Sequence, residues 1–440
     1  MNSFRLTPLL LAFTAAVALP VQAQNVVDMY ESARVYDATY QSAKSQFAAT
    51  LARAEQARAG TLPTVGLSLG ASFSNLENTL AKPPKPDFGS QTATISASQP
   101  LYRPANWATY EQGKKQVDQA QLQLLAADQD LIVRVSQTYF DVLASQDSVA
   151  FVLAQKAAVA EQLAFAKRNF EVGTSTITDT REAQARFDLV VAQEIAARND
   201  LRVKKIALDQ LVGKTDTQPK SVSQPVALPA VLPEDVNAWV QQSEDNHPGI
   251  KLSQVALDVA LLETTKAQAG NKPTIDLTGS YNITQNNGTS SVGPDFRTNL
   301  ATLGVTLNLP LFAGYSIQNR IKETLALEDK ARNDLEGAKR AVAQSTRTAY
   351  FGVLSGQGQV KALEAAEASS QSALEANKLG YQVGVRINID VLNSQSQLFQ
   401  TKRDLAKARY DVLVGGLKLR QANGTLKAED LQSVNALLAK

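Results

Sequence analysis

Four stretches of this chain, and only four, alternate between apolar and small polar residues, and that number limits what it can fold into. Val65, Leu67, Leu69, Ala71 and Phe73 fall on one side of a period-2 pattern, and Thr64, Gly66, Ser68, Gly70 and Ser72 on the other. Ile275, Leu277, Tyr281 and Ile283 alternate in the same way with Thr274, Asp276, Thr278 and Ser280. The other two stretches precede Pro-Leu-aromatic triplets at 100–102 and 310–312, the clearer being Leu303, Val305, Leu307 and Leu309. Such strands suit a wall between lipid and water, or equally the half-buried face of a sandwich. The segments between them, 75–90 and 284–299, are long, polar and rich in Pro, Gly and Asn, as the exterior loops of an outer-membrane barrel are. An open sheet cannot cross a bilayer, because its edge N–H and C=O groups find no partners there. Four strands also cannot close around a lumen. A spanning barrel therefore needs several copies, and three copies of four strands give twelve.

The strands belong to a tandem duplication. "TLPTVGLSLGASF" at 61–73 matches "NKPTIDLTGSYNI" at 271–283, "QTYFDVLASQ" at 137–146 matches "RTAYFGVLSGQ" at 347–357, and the offset stays near 210. After each triplet comes a long stretch without internal proline, 104–171 and 314–382, with seven-residue recurrences such as Leu124 with Leu131. About 68 residues at 1.5 Å each make a rod of roughly 100 Å, and heptad-like spacing over that distance predicts antiparallel coiled-coil packing. "EVGTSTITDTREAQ" at 171–184 and "QVGVRINIDVLNSQ" at 382–395 end the rods. Gly173 and Gly384 are expected as left-handed C′ residues, and Thr178-Asp179 and Asp390 as caps of the returning helices.

The predicted organisation is a leader at 1–23, a first repeat at 24–220, a linker at 221–233, a second repeat at 234–426 and a tail at 427–440. The first repeat holds strands at 62–74 and 91–101 and long helices at 104–171 and 178–212; the second holds strands at 273–284 and 299–310 and helices at 314–382 and 389–422. A single helical stretch is expected ahead of each hairpin, at 28–60 and 234–270.

Composition narrows the function. Arg5, the apolar run 9–21 and the small residues of "VQA" form a secretory signal peptide cleaved between Ala23 and Gln24. Without cysteine there is no lipid anchor, disulfide or thiolate metal site, and no later stretch reaches the ~20 apolar residues of a transmembrane helix. Formal net charge is +2, or +1 without Arg5, which argues against a nucleic-acid partner. No catalytic constellation is present, and no cofactor or metal is expected. The one histidine, His247 in "NHPG", reads as a helix start, because no second His or Cys exists to complete a site. Neither a phosphate-cradling glycine loop nor a G-x-S-x-G elbow occurs, so no enzymatic activity is expected.

"YQVGVRINIDVLNSQ" at 381–395, "ARYDVLVGGLKLRQANGTL" at 408–426, "FEVGTSTITD" at 170–179 and the strand-Pro-Leu-aromatic junctions resemble the TolC-type outer-membrane factors, over nearly the whole mature chain. The resemblance implies a mainly α protein with a membrane β-barrel: a homotrimer whose 12-stranded outer-membrane barrel continues as a periplasmic α-barrel. An equatorial region would use the 213–233 linker and the C-terminal tail. It implies an exit duct, passive itself, for a tripartite efflux pump or type I secretion system. The partners would be outer-membrane lipid, a periplasmic adaptor and an inner-membrane ABC or RND transporter. The alternative is a coiled-coil structural or adhesive surface protein. By position, Asp390 matches the acidic residue lining the periplasmic entrance, where a ring of carboxylates would favour cations. Asn393 stands where a second Asp is frequent, and Glu182 and Asp179 are the first-repeat candidates for the same constriction. Tyr381 and Arg386 match latch positions, with Asp179 and Thr178 as their respective partners. Phe170 and Ser175 replace those two residue types in the first repeat.

Overall fold

The computed structural model of the protein describes residues 24–77, 87–223, 226, 228–289 and 292–439; the expected leader and the middle of the first hairpin loop lie outside them. The chain runs twice through one series of elements. The first pass is α1 (Val26–Tyr36), α2 (Ala38–Ala59), β1 (Thr64–Asn75), β2 (Asp87–Tyr102), α3 (Pro104–Glu171) and α4 (Ile177–Val212). The second is α5 (Val236–Asn246), α6 (Pro248–Ala269), β3 (Thr274–Asn286), β4 (Phe296–Asn308), α7 (Ser316–Gln382) and α8 (Asn388–Ala422), with α9 (Asp430–Asn435) in the tail.

The four strands form one antiparallel sheet in the order β1-β2-β3-β4, so the central seam joins the two repeats. Its register keeps the alternation of the sequence in line across the sheet. Val65, Ala97, Gly279 and Leu303 make one row of a face, and Leu67, Ile95, Tyr281 and Ala301 the next. The opposite face is built of Ser, Thr, Asn and Gly, with Phe88, Phe296 and Leu300 toward the loop end. Asp276 is its one charged side chain within the strands, and Arg103 neutralises it. The apolar face is bare: Leu69 is 76% and Leu303 80% exposed, values no water-soluble sheet would tolerate over so many residues. β1 and β4 each pair on one side only, which leaves two open edges.

Below the sheet the rods pack as antiparallel pairs. α2 and α6 flank the upper half of α3, α4 and α8 its lower half, and α7 lies along α6 and then α8. Halfway down, Tyr30, Leu131, Tyr139, Phe140, Leu208 and Leu431 centre a buried collar made by α1, α3, α4, α8 and α9. The inter-repeat linker threads this collar. Gln24 N–H donates to Gln218 O (2.9 Å), and Ser223 N–H to Leu437 O (2.9 Å). The repeat-equivalent tyrosines anchor it, Tyr139 by donating to Lys220 O (2.8 Å) and Tyr350 by donating to Glu234 O.

Several boundaries differ from the sequence expectation, each for a physical reason. The stretches ahead of the hairpins are broken helices. Asp37 interrupts the first, its carboxylate capping Thr39 and Tyr40 N–H and held in turn by Arg134. His247 interrupts the second because Pro248 has no N–H to continue α5, and His247 Nδ1 accepts from Gly249 N–H (3.0 Å). That confirms the helix-start reading, and burial lowers the imidazole pKa, which suits a neutral acceptor. β2 begins at Asp87 rather than 91, since Asn75 Nδ2 donates to the Asp87 carboxylate (2.6 Å) and extends the ladder. β4 stops at Asn308, short of Pro310, which cannot donate to a ladder.

Candidate functional site: the two rod-end turns

α3 and α7 end in the same backbone device. In each, a left-handed glycine occupies C′, Gly173 with φ 79° and Gly384 with φ 81°. The following N–H bonds back to the third-last helical carbonyl, Thr174 to Asn169 O (2.8 Å) and Val385 to Gly380 O (2.9 Å). These are Schellman motifs, and glycine is required because a Cβ at that φ crowds the backbone.

Beyond the glycine the turns diverge. The cap of α4 is Thr176, not Asp179: Thr176 Oγ1 accepts from Asp179 N–H (3.2 Å) and Asp179 Oδ2 accepts from Thr176 N–H (3.1 Å). Asp179 is thus the third helical residue of a capping box. Ser175 and Thr176 hydroxyls donate to the same oxygen (2.7 and 2.9 Å). Partial burial would raise the Asp179 pKa, but these donors outweigh it and the carboxyl lies below its ordinary range. Thr178 is exposed on the first turn of α4.

α8 starts without a side-chain cap. Ile387 occupies the N-cap position, and Asp390, again the third helical residue, does not cap. Its half-buried carboxylate lies 3.7 Å from Nη1 of the exposed Arg386. The group that ties this turn to the rest of the chain is Asn388, which is fully buried. Its Oδ1 accepts from Gln162 Nε2 on α3 (2.5 Å), and its Nδ2 donates to the carbonyl of Asp179 on α4 (3.2 Å). Five residues on, Asn393 Oδ1 accepts from Arg186 Nη2 of α4 (2.7 Å). Tyr381 packs edge-on against Phe165, its hydroxyl buried and without a partner in the chain. Glu182 is half-buried on α4.

The structure therefore sets Asn388 against Asp179 and Asn393 against Arg186, and leaves Arg386 and Thr178 at the surface of a single copy. Asn388, Gln162 and Arg186 were not singled out by the sequence. The one signal for Asn388 was an amide between two isoleucines in "INI". Among the described residues no group of His, Asp and Glu is arranged to hold a metal.

A sheet with a bare apolar face and open edges, standing on helical rods about 100 Å long that turn back at glycine-hinged tips, defines the class of outer-membrane channels with a periplasmic extension. The chain belongs to the outer membrane efflux protein family, whose model matches residues 29–214 and 239–425, one stretch per repeat. With that family it is an outer-membrane protein. The outer membrane protein TolC of Vibrio cholerae is 33% identical over 436 residues, 98% of either chain. The proteases secretion protein PrtF of Dickeya chrysanthemi is 27% identical over 94% of this chain and 91% of its own. Among solved structures, the outer membrane protein VceC of Vibrio cholerae superposes with a TM-score of 0.77 at 18% identity, over 91% of this chain and 96% of that one.

Proposed function

We propose that three copies close their sheets edge to edge into one 12-stranded barrel, and that the rods below form a duct through the periplasm. The observation that carries this is the sheet itself: four strands, two unpaired edges and a lipid-ready face that one copy cannot bury. The duct conducts passively, fed by an inner-membrane transporter of ABC or RND type through a periplasmic adaptor. The relatives named for protease secretion and for efflux support that role.

The rod-end turns form its entrance, six per trimer. Asp390 supplies the carboxylate ring. Asn393 contributes no charge to it and is engaged by Arg186, which leaves Glu182 as the acidic residue of the first repeat near that level. Tyr381 with Asp179, and Arg386 with Thr178, latch the closed entrance. A buried, unpartnered Tyr381 hydroxyl and an exposed Arg386 guanidinium support this, since both have donors to offer. Adaptor binding to the open form shifts the balance away from the latched one.

The test is electrophoresis of outer-membrane fractions with and without heating, followed by planar-bilayer recording of the unheated species. A trimer band that collapses to monomer on heating, and conducts when reconstituted, is expected. A protein that migrates as monomer in native detergent extracts would remove the ring.

A further inference from the structure

The two strand-to-helix joints occupy equivalent places in the repeats, yet they are built differently. β2 passes into α3 through Arg103 alone, with Pro104 opening the helix. Arg103 Nε donates to Asp276 Oδ1 (2.7 Å) and Nη2 to Oδ2 (2.6 Å), a two-pronged pair to a carboxylate that is only 8% exposed. Two amides brace the same joint from the side: Asn106 Nδ2 donates to Gly60 O, and Gln99 Nε2 to Thr61 O (3.1 Å). α3 is thereby fastened both to β3, in the other repeat, and to the end of α2.

β4 passes into α7 through seven residues, 309–315, that include two consecutive left-handed residues, Gly314 (φ 59°) and Tyr315 (φ 64°). α7 begins without a side-chain cap. Leu311 is 90%, Phe312 74% and Tyr315 64% exposed, and the bonds of Ser316 go to Ala313 within the same turn. Adding the repeat offset of 210 to Arg103 gives Ala313, and subtracting it from Asp276 gives Gly66. The second joint thus has neither half of the pin, and Gly66 lies on β1, at the edge of the sheet opposite to β4.

We propose that Arg103 and Asp276 are positioning residues that fix α3 to the sheet, and that 309–315 is a hinge about which α7 pivots. α3 and the barrel then move as one body. α7, which carries the Gly384 turn at its far end, swings with α8 against them, with Ile317 beside Gly270 as the sliding contact at the top. The link from this swing to opening rests on the entrance reading above, but the hinge itself is tested without any transport measurement, so the two fail separately.

The experiment is amide hydrogen exchange on the full-length protein assembled in detergent or nanodiscs, comparing the repeat-equivalent segments 99–108 and 309–318. Protection at 99–108 is expected to exceed that at 309–318 by about tenfold or more. Asp276→Asn should lower protection at 99–108 and leave 309–318 unchanged. If that variant does not assemble, Arg103→Lys, which keeps the charge and loses the fork, should do the same to a lesser degree. Equal protection of the two segments in the wild type overturns the hinge. Unchanged protection at 99–108 in the variants overturns the pin.

Discussion

The turn at Gly173 and the turn at Gly384 trace the same Schellman backbone, yet the first satisfies its returning helix locally while the second reaches across to other helices. Thr176 and Asp179 close a capping box within four residues. At the equivalent place the second turn has Ile387 and spends its polar group, Asn388, on Gln162 of α3 and the Asp179 carbonyl of α4. A duplicated motif has thus kept its backbone and divided its chemistry: one copy is self-sufficient, and the other depends on its neighbours for order. The dependent copy is the one a partner could displace without unfolding a cap.

The comparison can be broken most readily by conductance. Tyr381→Phe combined with Arg386→Ala should raise single-channel conductance about tenfold, the effect of removing ~1.4 kcal/mol of closed-state bias spread over several hydrogen bonds. The matching first-repeat change, Ser175→Ala, should leave it near wild type, and equal effects would erase the asymmetry. Asn388→Ala should lower unfolding stability by about 1–2 kcal/mol per copy, because it removes two bonds of a buried side chain and strands the part-buried Gln162 amide and Asp179 carbonyl. Ile177→Ala, at the equivalent first-repeat position, should cost less in the same melting experiment.

Thr176→Ala should cost about 1 kcal/mol, whereas Ile387→Thr, which offers the second turn a cap, should gain a few tenths. Asp179 sharpens this through pH. Its folded pKa lies below the ordinary value, so its contribution is present above the unfolded-state value and is lost as pH falls through the folded one. The stability difference between wild type and Asp179→Ala should therefore persist at pH 5 and shrink as pH falls below the ordinary carboxylate range. The smallest expected effect is on ion choice: Asp390→Ala should reduce the cation-to-anion permeability ratio by about twofold to threefold in reversal-potential measurements. An unchanged ratio removes Asp390 from the constriction.

Much of this architecture was legible in the sequence because two strong periodicities write it. Period-2 alternation marked all four strands, and long proline-free runs marked rods whose ends the structure places within two residues of the expected positions. What was not legible depends on partners distant in sequence. Asp37 breaks a helix because Arg134, 97 residues on, holds its carboxylate. Asn388 reads as one more turn polar until Gln162 and the Asp179 carbonyl arrive from other helices. The capping box has a sequence signature, Thr176 and Asp179 at the three-residue spacing of that motif, yet the expected cap, Thr178-Asp179, lies two to three residues too far along.

The uncharged polar face of the sheet bears on what can leave the cell this way. In a closed ring that face is the inner wall, dressed in hydroxyls and amides with its one carboxylate already matched by Arg103. Such a wall offers a passing molecule the same kind of bonds that water offers, and little net reason to linger at any point. Cargo of either sign would meet few charged groups to hold it along the strands. Any choosiness in this conduit must be exercised earlier, before the cargo reaches the outer membrane.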